Sequence, residues 1–140
     1  MSVSIYVGYR EGEQPEIKLV VPSNVMFSHF YPNGKEVANP NYNPIFDVNW
    51  CNTNAHMVMG ALGISIVDGC FEVPAKRLVS LTTNWLRSHA GHPVAGRKTV
   101  VYGNVTSLGV SDGYLNDQIH RLFLLTREAV KCGANIIYGA

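Results

Sequence analysis

The alternation of apolar and polar positions opens with SVSIYVGY, a β-branched and aromatic run that predicts a strand. A polar stretch from Arg10 to Glu16, broken by Gly12 and Pro15, predicts the loop after it. IKLVV predicts a second strand, interrupted by Pro22, Ser23 and Asn24. VMFSHFY is too short for either period to win and reads as an edge strand or the start of a short helix. From Tyr31 to Pro44 the text YPNGKEVANPNYNP holds three prolines, four asparagines and one glycine, a density that breaks regular structure and predicts a long loop or flap over 31–44.

Beyond it, IFDVNW alternates imperfectly, and the polar string CNTN precedes AHMVMGALG, so a strand-to-helix junction is expected there. Asn52, Thr53 or Asn54 is suited to cap that short helix and Gly63 to stop it. ISIV and CFEV flank Asp68-Gly69 as a predicted hairpin. Pro74 suits a first helical turn, and Leu78, Leu81, Trp85 and Leu86 then follow helical spacing to about Ser88. HAGHPVAGRK breaks the pattern, and TVVYGNVTSLGV predicts a short strand or hairpin. Ser111 or Asp112 is placed to cap a long helix carrying Leu115, Ile119, Leu122, Phe123, Thr126 and Val130 on one face. Gly133 ends that helix and ANIIYGA returns to an extended strand.

Strands before and after the helices, with no repeat and no break in composition, place residues 1–140 in one compact α/β or α+β domain, a mixed sheet packed by about three helices. Trp50, Trp85 and Phe123 are its expected aromatic core.

Composition changes the picture in three respects. Hydrophobic residues make up 46% and charged residues only 15%, which excludes a disordered chain, and a formal charge of +1 is too small for the positive field that extended nucleic acid requires. No stretch approaches the roughly 20 apolar residues of a membrane span, and the start lacks the form of a secretory signal, so a membrane is not an expected partner. Cys51, Cys70 and Cys132 cannot all pair within one chain and show no CxxC spacing; free thiols in the cytoplasm are the expectation.

Charge is sparsest in the middle: between Val37 and Phe71 only Asp47 and Asp68 are charged, while asparagines abound. A polar collar of Asp47, Asn49, Asn52, Asn54 and His56 surrounds the predicted strand-to-helix junction. Amides there donate and accept hydrogen bonds, and a helix start favours an anion. The same residue types also serve as local caps. Tyr42 in the flap adds contact area, and Arg97 in Gly96-Arg97-Lys98 adds a contact for a small phosphate. The sequence thus predicts a noncatalytic binding or regulatory domain for a compact polar or nucleotide-like ligand or a protein partner. Its contacts are Tyr42, Asp47, Asn49, Asn52, Asn54, His56 and Arg97, with the flap also available to a homo-oligomer.

The alternative is a small hydrolase or transferase in which Asp47, His56, His89 or His92 transfers protons. Cys51 beside His56 sketches a thiol nucleophile. HAGHP has too few companions for a metal site, and neither GxSxG nor a phosphate-loop pattern is present; no metal and no cofactor are expected.

Overall fold

Strand β1 (Ser2–Tyr9) buries Val3, Ile5 and Val7 on one face and leaves Ser4 and Tyr6 partly exposed on the other, the period-2 pattern of a strand covered on one side. The computed structural model describes residues 2–13, 18–19, 27–30, 36–107 and 109–140. Within them follow β2 (Lys18–Leu19), β3 (Phe27–Phe30), β4 (Glu36–Ala38), a 3-10 turn (Pro44–Phe46), β5 (Asn49–Cys51), α1 (Asn52–Ala61) and β6 (Phe71–Pro74). The order is completed by α2 (Ala75–Ser88), β7 (Val100–Tyr102), β8 (Val105–Ser107), α3 (Tyr114–Lys131) and β9 (Ile136–Gly139).

The central sheet runs β2-β1-β9-β6, with β5 pairing the start of β1, and every described pairing is antiparallel. Val7 lies opposite Ile137 and Val73 opposite the same residue, so one row of aliphatic side chains crosses three strands. The three helices cover that face. Their buried residues, among them Val58, Met59, Leu78, Ile119, Leu122 and Leu125, form one core with Val3, Ile5, Phe71 and Trp50. Thr82 and Thr126 are buried too. Their hydroxyls donate back to the carbonyls of Leu78 at 2.8 Å and Leu122 at 2.9 Å, so neither is left unsatisfied. Trp85 packs against this core half-buried, and Phe123 is only partly covered.

The domain is therefore the expected sheet with three helices packed on it, and of the two expected classes it is the α+β one; the sheet is not mixed, since every described pairing is antiparallel. Several local expectations differ. Within VMFSHFY, residues 27–30 form the strand β3, which pairs with β4, and residues 25, 26 and 31 lie outside the described residues; the expected flap contains a strand at 36–38, and its residues 31–35, like most of IKLVV, also lie outside them. ISIV forms no strand: Asp68 and Gly69 do turn, at φ 52° and 77°, but they close a single bridge between Val67 and Cys70. Asn52, Thr53 and Asn54 do not cap α1. The chain leaves β5 at Cys51, which takes the N-cap position in extended geometry and offers no side-chain cap. Neither Ser111 nor Asp112 takes the N-cap position of α3; Gly113 does so in the left-handed conformation, and the Asp112 carboxylate instead accepts the amide of Gly96 at 2.6 Å.

Candidate functional site

Three side chains of α3 organise the predicted collar. Tyr114, Gln118 and Arg121 recur at helical spacing, so they form a polar stripe beside the buried one. The Tyr114 hydroxyl accepts from Asn54 Nδ2 at 3.1 Å, Gln118 Oε1 accepts from Trp50 Nε1 at 2.7 Å, and Arg121 Nη2 donates to the carbonyls of Pro44 at 3.1 Å and Asp47 at 3.0 Å. Nothing in the linear sequence placed these three residues beside the collar; a polar i, i+4, i+7 pattern next to an apolar stripe was the available signal.

The predicted contacts divide into separate groups. Tyr42 donates its hydroxyl to Asp47 Oδ2 at 2.5 Å, and this hydrogen bond to a carboxylate is the main reason its phenol titrates above the usual tyrosine range. Asp47 is thus tied to Tyr42 and held through its carbonyl by Arg121, which makes both parts of a closed turn. Other flap residues have turn roles as well: Asn39 Oδ1 accepts the Asn41 amide at 3.0 Å, and Asn43 Oδ1 accepts that of Ile45 at 3.1 Å. Asn49 is carried to the opposite face of the sheet from Trp50 by strand alternation, where its amide donates to Ser4 Oγ at 2.7 Å.

What remains together is Asn54, Arg97 and Tyr114. Arg97 Nη2 lies 3.5 Å from Asn54 Oδ1, and the loop bearing Arg97 is fixed by paired backbone bonds with Val110 at 2.9 and 2.7 Å. That pairing requires glycine on both sides. A Cβ on Gly96 would meet the Val110 carbonyl and one on Gly109 the Arg97 carbonyl. Asn52, two positions before Asn54, has a buried Oδ1 with no hydrogen-bond partner.

Among the described residues, no hydrogen bond joins any two of the acid/base candidates Asp47, His56, His89 and His92. His89 instead stacks on Trp85 with centroids 3.8 Å apart and shares a hydrogen bond from Nδ1 with the Trp85 carbonyl at 2.8 Å. His92 is exposed, and its carbonyl accepts from Asn116. Cys51 and His56 are both exposed, but Cys51 ends β5 in extended geometry while His56 lies inside α1, and among the described residues no hydrogen bond joins them. Cys132 is half-buried and burial pushes its thiol up, away from the thiolate form. The three cysteines are free, and among the described residues no group of three His, Cys, Asp or Glu side chains is placed to hold a metal ion. No described helix is long and apolar enough to cross a membrane.

A second polar cluster lies at the far end of the sheet, where sequence reading placed nothing. Arg10 and Glu72 form a bidentate ion pair, Nη1 to Oε2 at 2.9 Å and Nη2 to Oε1 at 2.7 Å. Asn135 clamps the Arg10 main chain, accepting its amide at 2.8 Å and donating to its carbonyl at 2.7 Å. No family model, curated protein or solved structure matches the chain.

Proposed function

We propose that the protein is a noncatalytic binding domain that recognises a compact polar ligand at the rim formed by Asn54, Arg97 and Tyr114. The observation that carries this reading is the meeting of an amide, a guanidinium and a phenol from three separated stretches of chain. Together they place amide, hydroxyl and guanidinium groups at one rim, a combination suited to a compact polar molecule, nucleotide-like ligands among them. The uncapped start of α1 adds partial positive charge beside Asn54. The hydrolase or transferase alternative has no comparable convergence to support it. Three free cysteines support a reducing compartment, the cytoplasm, as the place of action.

Titration of the labelled protein with a panel of polar metabolites, nucleosides and nucleotides tests the reading. Amide shifts are expected to centre on residues 52–54, 97 and 114, and both Asn54→Ala and Arg97→Ala should abolish them while leaving the remaining spectrum folded. Binding that survives both substitutions refutes the assignment.

A further inference from the structure

Asp68-Gly69 and Asp112-Gly113 are both aspartyl-glycyl steps, and the fold holds them very differently. At such a step the main-chain nitrogen can attack the preceding side chain, because glycine sets no Cβ in the way. At Asp112-Gly113 both reacting groups are engaged. The Asp112 carboxylate accepts the Gly96 amide at 2.6 Å, the Gly113 N–H donates to the Val94 carbonyl at 2.9 Å, and Gly113 is the N-cap of α3. At Asp68-Gly69 neither group is engaged: among the described residues no hydrogen bond or ion pair reaches the Asp68 carboxylate or the Gly69 amide. Asp68 is exposed, and among the described residues it is the one other than glycine in the left-handed region, at φ 52°. Its turn is closed by two bonds between Val67 and Cys70, each N–H donating to the other's carbonyl at 2.9 Å, in a bridge outside the named strands. The step is therefore free to rotate and bring the Gly69 nitrogen to Asp68 Cγ once two hydrogen bonds open, with no helix unwound.

We propose that Asp68 is a site of spontaneous modification, the formation of isoaspartate. The Gly69 nitrogen bonds to Asp68 Cγ and gives up its proton; the carboxyl group, in its acid form, gives up its hydroxyl, and the two leave as water. The product is a five-membered succinimide. Water then adds to one of the two ring carbonyls. Breaking the bond from nitrogen to the original main-chain carbonyl routes the chain through Cγ and leaves that carbonyl as a free carboxylate; breaking the other restores aspartate. The water lost is regained, so the chain changes connectivity and not mass. Isoaspartate adds a methylene to the backbone, so the two-residue loop no longer fits between Val67 and Cys70. Both bonds of the bridge are then lost, just before Phe71 and Val73 enter the core. This reading is independent of the ligand rim at Asn54.

The test ages the full chain at neutral pH, folded and in urea, and follows its peptides by mass spectrometry with backbone fragmentation that tells isoaspartate from aspartate. Trypsin, cutting after Lys18, Lys35, Lys76, Lys98 and Arg121, separates Asp68-Gly69 from Asp112-Gly113 and from Asn33-Gly34, which lies outside the described residues. In the folded chain isoaspartate is expected to accumulate at Asp68 at least about ten-fold faster than at Asp112, since one step opens locally and the other only with the start of α3. In urea the two rates should converge. The Val67 and Cys70 amides should lose protection from hydrogen exchange as the wild type ages and keep it in Asp68→Glu, whose longer side chain disfavours the ring. Equal rates in the folded chain, a difference that persists in urea, or no isoaspartate at Asp68 after ageing that produces it in urea overturns the proposal. Should Asp68→Glu fail to fold, the comparison of folded and urea-treated wild type decides.

Discussion

The two faces of the central sheet share one backbone and differ in almost everything else. Toward the helices stand Val3, Ile5, Val7, Phe71, Val73 and Ile137, each at most 6% exposed. Away from them stand Ser4 with Asn49, the stacked pair Tyr6 and Tyr138 at 5.2 Å, and Glu72 with Arg10. In that setting burial, with a smaller contribution from Tyr6, raises the Tyr138 phenol above the usual range. One face is bound by close packing, which tolerates little change in volume; the other by directional pairs whose partners also meet water. The difference teaches that volume-sensitive packing and directional polar pairing fall on opposite sides of the same strands, so substitutions one residue apart should differ sharply in cost.

The largest effect should come from the packed face. Leu122→Ala empties a fully buried position and is expected to cost about 2–5 kcal/mol by urea unfolding. Gly139→Ala follows: its Cβ would meet the Phe71 ring and the Val3 side chain, an overpacking expected to cost about 1–3 kcal/mol in the same measurement. The smallest effect should come from Glu72→Gln on the other face, a fall of a few degrees at most in melting temperature at neutral pH, because the Glu72 side chain is 51% exposed. That effect also has a pH signature. The Arg10 hydrogen bonds hold the Glu72 carboxyl below its ordinary value, with burial opposing. The stabilisation is therefore present above the unfolded glutamate value, about 4.3, and is lost as pH falls through the lower folded value. Melting curves of wild type and Glu72→Gln should differ at pH 7 and converge in acid. A Glu72→Gln cost equal to that of Leu122→Ala would erase the distinction between the faces.

Periodicity made much of this fold legible. β1, α2 and α3 each carry enough repeats for a buried stripe to emerge, and the glycine stops at Gly63 and Gly133 take the left-handed conformation expected of them. The helix starts were less legible, because the capping position depends on where the preceding strand releases the chain. Asn52 to Asn54 contain good capping residues, yet β5 runs to Cys51 and puts them inside α1. The collar does not stay together as one group, and Arg97 was read apart from it. Asn54 and Arg97 do meet, but the alternation of β5 sends Asn49 to the other face, and the Tyr42–Asp47 pair closes a turn. Arg10 and Glu72 were illegible, since their meeting depends on the order of strands in the sheet, which no local pattern encodes.

That strand order has a consequence for how the molecule is made. β9, which lies between β1 and β6, follows both in sequence, and Arg10 and Asn135 meet across 125 positions. Until β9 leaves the ribosome, β1 and β6 have no common neighbour. The helices therefore emerge before the sheet they are to cover is complete, and closure of this long loop is expected to limit the folding rate.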